Sequence, residues 1–193
     1  MAANATAGTV SGTFDNVLYD TSATAPADAG SYAVTADFVP TDDANYNSVT
    51  AVAVGNFVIN KALSTTAVTC TAGPFAYTGA AQAPCTATVT GLGGLNLALT
   101  VNYSNNTNAG TATAAASYAA TANYLVSSDS TTFTIGKAAT TTAVTCDPGP
   151  FVYTGSAQTP CAAGVTGPGG LSLVLTVSYA SNTGAGTASA AAS

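Results

Sequence analysis

Histidine, tryptophan, glutamate and arginine are absent from the 193 residues, and Lys61 and Lys137 are the only bases. Most acid–base, metal-binding and anion-binding chemistry therefore lacks its usual side chains. Nucleic acid is excluded as a partner, because displacing counterions from phosphate needs clustered Lys or Arg, and the two lysines stand a whole repeat apart. A hydrolase needs a nucleophile with an activating base. Serine and threonine are plentiful, but only Asp or Lys is left to activate them, and neither stands in a recognisable motif. The chain reads as non-enzymatic, and no cofactor is implied. Gly136-Lys137 has the form of a phosphate-loop ending, yet Ala138 replaces the Ser/Thr and Thr131 replaces the upstream glycine. No run of 18 apolar residues occurs, so no membrane span is expected. The opening Met-Ala-Ala-Asn lacks the charged and apolar regions of a signal peptide.

What is present is alanine, 42 residues, and threonine, 34. Only 5% of the chain is charged, with a net charge of −6, while 47% is hydrophobic. A disordered acidic chain has the opposite balance, so nine Tyr, six Phe and regular Val/Leu spacing predict a folded protein.

The organisation is set by a repeat. Lys61 to Gly136 is followed by a second copy from Lys137, and 40 of the 57 comparable positions are identical. Cys70 and Cys85 recur as Cys146 and Cys161; Pro74-Phe75-Ala76-Tyr77-Thr78-Gly79 recurs as Pro150-Phe151-Val152-Tyr153-Thr154-Gly155. Residues 1–60 are a shorter, cysteine-free copy. There Asp28-Ala29-Gly30 answers Asn108-Ala109-Gly110, Ala44-Asn45-Tyr46 answers Ala122-Asn123-Tyr124, and Phe57 to Lys61 answers Phe133 to Lys137. The expected domains are a partial repeat over 1–60, a complete one over 61–136 and a C-terminally truncated one over 137–193.

Within each copy the pattern has period two, as in strands with one buried face. Leu95, Leu97, Leu99, Val101 and Tyr103 alternate with polar or small residues, as do their counterparts from Leu171 to Tyr179, and so do Tyr32, Val34, Ala36 and Phe38. Gly91-Leu92-Gly93-Gly94 and Gly167-Pro168-Gly169-Gly170 read as turns. The spacing predicts an all-β protein of tandem small antiparallel immunoglobulin-like β-sandwiches. Asn60-Lys61-Ala62 and Gly136-Lys137-Ala138 are the whole linkers, which predicts stiff junctions.

Domains this small and this rich in alanine bury little area and need a staple. The cysteines predict intradomain disulfides Cys70–Cys85 and Cys146–Cys161, because a tetrahedral metal site wants four ligands and histidine is absent. Disulfides imply an extracellular or cell-surface location. Asp37, Asp42 and Asp43, with Asn45, form the densest set of oxygen ligands, a calcium candidate beside the plainer reading of a solvated turn; no other metal ligands are expected. Sequons for N-glycosylation stand at Asn4, Asn102 and Asn105, although Ser178 and Ser181 replace the latter two in the last copy. An amide crosslink from Lys61 or Lys137 is set aside in favour of exposed junction lysines. Tyr77, Tyr103, Tyr153 and Tyr179 read as half-buried packing residues rather than a sugar-stacking platform.

The run Tyr153-Thr154-Gly155-Ser156-Ala157-Gln158-Thr159-Pro160-Cys161, then Val165-Thr166-Gly167, with closing strands of the Phe133-Thr134-Ile135-Gly136-Lys137-Ala138 type, resembles the MBG-type repeat. Ala29-Gly30-Ser31-Tyr32, Asn45-Tyr46 and Phe57 to Ala62 look like a cysteine-free variant of it. The resemblance implies Ig-like domains of large bacterial surface, adhesin-like proteins, with no catalytic residues to carry over. The expected function is a structural shaft of an extracellular fibre or surface adhesin, self-assembling by strand complementation in its sharper form. The expected partners are other copies or flanking repeats, and glycans in the alternative reading as an adhesin module. A spacer in a larger secreted enzyme is the third reading.

Overall fold

The computed structural model describes residues 10–193. Fifteen strands and two short 3-10 turns make it all-β. In the first copy β1 (Gly12–Tyr19), β2 (Gly30–Pro40) and β3 (Val49–Ile59) form one antiparallel sheet in the order β1-β2-β3. The period-two pattern of β2 turns Ala36 inward, and Phe38 of the same face meets Phe14 edge-on at 5.8 Å between ring centroids. Tyr19 and Phe57 meet the same way at 5.6 Å.

The second copy supplies seven strands: β4 (Ser64–Cys70), β5 (Phe75–Ala76), β6 (Cys85–Gly91), β7 (Leu95–Leu99), β8 (Asn102–Ser104), β9 (Gly110–Tyr118) and β10 (Ser127–Gly136). They sort into two sheets, β4-β6-β7 and β5-β10-β9-β8. The third copy repeats the first of these as β11 (Thr141–Cys146), β12 (Cys161–Gly167) and β13 (Leu171–Leu175), and adds a two-stranded sheet of β14 (Ser178–Ala180) and β15 (Ser189–Ala191).

The described residues divide into two compact units. One runs to Thr66 and includes Thr88–Leu99 and Ser117–Ser128; the other comprises Ala67–Ala87, Thr100–Ala116 and Asp129–Ser193. In the former, buried Thr66 shares a 2.8 Å hydrogen bond with Ser127, whose hydroxyl also meets that of Ser64 at 2.8 Å. A buried hydroxyl without such a partner is costly, so this small polar chain is self-satisfied. In the latter, Cys85, Ala112, Ala114, Phe133 and Ile135 form the core, with Phe75 and Tyr103 packed on it. Phe133 lies edge-on between those two aromatics, at 5.7 and 6.1 Å. The alanines of β9 leave room for these larger rings, which is how an alanine-rich chain still fills its interior.

One expectation is corrected. The run Leu95–Tyr103 is two strands in different sheets, β7 and β8, with Thr100 and Val101 between them, and Leu171–Tyr179 divides likewise. Leu97 is 52% exposed and Leu173 58%, because β7 and β13 are edge strands of their sheets. The small sheets are antiparallel, as expected, and within one of them the two-residue β5 runs parallel to β10 with Phe75 opposite Ile135.

Candidate functional site

The cysteines pair as the spacing predicts, Cys70 with Cys85 and Cys146 with Cys161. In each pair the first cysteine closes an opening strand and the second begins the strand beside it, so that Cys146 stands directly opposite Cys161 in the β11–β12 register. A phenol locks each second cysteine. Tyr103 Oη accepts the backbone N–H of Cys85 at 2.8 Å and donates to its carbonyl at 2.9 Å, and Tyr179 does the same at Cys161.

The acids singled out from the sequence are not brought together. Asp37 is in β2, and its two oxygens take the Ala51 N–H at 2.8 Å and Asn16 Nδ2 at 3.0 Å. These two bonds, the backbone one first, hold its carboxyl below the ordinary carboxylate value. Asp42 instead caps its own turn by accepting from the Asn45 backbone and side-chain amide. Among the described residues no group of three acidic, histidine or cysteine side chains is placed to hold a metal ion. Asn102 and Asn105 are exposed at β8 and just after it; Asn4 lies outside the described residues.

Of the four tyrosines expected to be half-buried, Tyr77, Tyr103 and Tyr179 are so, whereas Tyr153 is 64% exposed. Its counterpart Tyr77 donates its backbone N–H to the carbonyl of Gly136 at 2.9 Å. No helix among the described residues is long and apolar enough to cross a membrane.

One set of contacts between the first and second copies was not a candidate from the sequence. Asp28 and Ala29, in the first copy, form a two-point clamp on Asn123 of the second. The Ala29 N–H donates to Asn123 Oδ1 at 2.7 Å, and Asn123 Nδ2 donates to Asp28 Oδ1 at 2.8 Å. Beside it Lys61 Nζ reaches the carbonyl of Thr121 at 2.6 Å, and Ala62 bonds through its backbone to Asn123 and Leu125. Lys61 is thus exposed, as expected at a junction, but engaged. Where the second copy meets the third, Gly79 approaches Gly169 so closely that a Cβ on Gly79 would lie 2.5 Å from the Gly169 Cα. The sequence signal was the recurrence of Asp/Asn-Ala-Gly and Ala-Asn-Tyr, which marks both partners of the clamp without showing that they meet.

A family model described as MBG domain (MBG_3) matches residues 1–63. No curated protein and no solved structure matches the chain. The matched stretch is the cysteine-free first copy together with the Lys61 junction, so the likeness to MBG-type domains read from the repeats is supported over residues 1–63.

Proposed function

We propose that the chain is a non-enzymatic, load-bearing segment of an extracellular or cell-surface protein, built from three Ig-like repeats over 1–60, 61–136 and 137–193. Its task in this reading is to extend a shaft, and its sharper form is a fibre whose subunits complete one another's sheets. The observation that carries it is the clamp of Asp28 and Ala29 on Asn123. The loop half of that clamp recurs as Asn108-Ala109, and the asparagine half recurs as Asn45, so the second copy carries both halves of a joint and can pass it on. Linkers of three residues leave little slack between such joints. Two disulfides and the MBG-domain match fit an oxidising, surface-exposed setting.

Electron microscopy of the native extracellular material tests this. Rods or filaments with a regular repeat of one domain length support the shaft, and a strand crossing between subunits supports self-completion. Isolated flexible beads overturn the shaft.

A further inference from the structure

The second copy carries Asn102-Tyr103-Ser104-Asn105-Asn106-Thr107 where the third carries Ser178-Tyr179-Ala180-Ser181-Asn182-Thr183. All three exchanges fall on residues that an N-glycan acceptor tripeptide requires: the amides of Asn102 and Asn105 and the hydroxyl of Ser104. The residues kept include those the fold uses. Tyr103 and Tyr179 each bind the second cysteine of their copy, and Asn106 Nδ2 donates to the Gln82 carbonyl at 2.8 Å as Asn182 Nδ2 does to that of Gln158 at 2.9 Å. The turn is kept too. Asn105 at φ 56° and Ser181 at φ 59° share the left-handed region, so this backbone forms without an amide at the position.

The two tripeptides of the second copy are held differently. Asn102, Tyr103 and Ser104 are the whole of β8, in register with Ala115, Ala114 and Thr113 of β9. Asn105, Asn106 and Thr107 lie in the turn between β8 and β9, outside that ladder. Their middle residue is anchored twice to Gln82, whose backbone N–H also donates to the Asn106 carbonyl at 2.8 Å. Asn105 beside it is exposed, and its side chain makes no hydrogen bond among the described residues. An acceptor has to present its amide to a transferase, and a turn does so without unpairing a strand.

We propose that Asn105 is an N-glycosylation site whose donor is a lipid-linked glycosyl diphosphate. Asn105 Nδ2 attacks the anomeric carbon of the sugar. The new N–C bond forms as the bond from that carbon to the diphosphate oxygen breaks, the lipid diphosphate leaves with the electron pair, and the amide nitrogen gives up one proton to a base of the transferase. The inference rests on the extracellular reading of the chain, and it adds a chemical modification to one repeat and not the next. Because β8 is the edge strand of its sheet, a sugar on the residue that follows crowds an edge whose open backbone otherwise invites another strand. The third copy, with Ser181 in that place, leaves β14 without such cover.

The test is peptide sequencing of the native extracellular protein by electron-transfer mass spectrometry, which leaves a sugar on the residue that bears it. A glycan mass on Asn105 is expected. Unmodified Asn105, or sugar confined to Asn102 or to serine and threonine, overturns the site. In the producing cells Ser104→Ala, which breaks the first tripeptide, should leave the glycan in place, while Thr107→Val should remove it and Thr107→Ser should restore it. A glycan that survives Thr107→Val overturns the assignment; the Cys70–Cys85 link, read in the same digests, shows that each variant has folded. Rods with oxidised cysteines and bare Asn105 would overturn this site while leaving the shaft standing, and a chain glycosylated at Asn105 but seen as flexible beads would do the reverse.

Discussion

Asp37 Oδ1 accepts the backbone N–H of Ala51 at 2.8 Å, and Ala51 stands in the left-handed region at φ 55°. The other oxygen of Asp37 holds Asn16, itself at φ 47°. One carboxylate on the central strand thus pins an irregularity in each neighbour, where the β1–β2 and β2–β3 registers both shift. Because these bonds lower its pKa, Asp37 adds stability above the ordinary carboxylate value of 3.8 and loses it as pH falls through its own lower value. Thermal melts across pH 2–7 should show the wild-type advantage over Asp37→Asn shrinking toward the acid end; a constant difference would refute the assignment.

Ala51→Gly should stabilise the protein by about 0.5–1 kcal/mol. A left-handed alanine costs ~1–2 kcal/mol, and glycine gives part of that back as backbone entropy. Urea unfolding of the two proteins measures the difference.

Gly79 and Gly155 are counterparts with positive φ, 82° and 77°, but in different surroundings. A Cβ on Gly155 meets only the Tyr153 hydroxyl at 3.8 Å, whereas one on Gly79 collides with Gly169 backbone. Both alanine variants carry the conformational cost of ~1–2 kcal/mol. Gly79→Ala should cost a further ~1–3 kcal/mol for overpacking, and equal melting temperatures would remove the contact from the account.

Ile135 is 1% exposed, so Ile135→Ala should destabilise by about 2–5 kcal/mol, against roughly 0.5 kcal/mol or less for Leu97→Ala at an edge. Denaturant titration of both variants checks whether the core lies around β10.

Cys70→Ser with Cys85→Ser opens a loop of sequence separation 15 and should cost about 3 kcal/mol. Chemical denaturation of the oxidised double variant against the oxidised wild type, both keeping Cys146–Cys161, measures that loss.

Strand content, turn positions and the cysteine pairs were legible because each has a local signal: period two, glycine clusters, and a fixed spacing in both cysteine-bearing copies. The break at Thr100-Val101 was not, because alternation runs through it unbroken while the two halves pair in different sheets. The parallel β5–β10 pair was also hidden, since a two-residue strand has no period and its partner lies some sixty residues away. Asn123 read as part of a repeated motif, and only its long-range partners Asp28 and Ala29 give it a role.

The phenol of Tyr103 both gives and takes a hydrogen bond at a single residue, Cys85, and so stands in for the peptide group of a neighbouring strand. A surrogate of this kind measures distance along the chain. Six of the 17 residues between Cys85 and Tyr103 differ from those between Cys161 and Tyr179, yet the count is the same in both copies. Side chains in that interval are free to drift while its length is not, so a single inserted residue should do more harm there than any of those six exchanges.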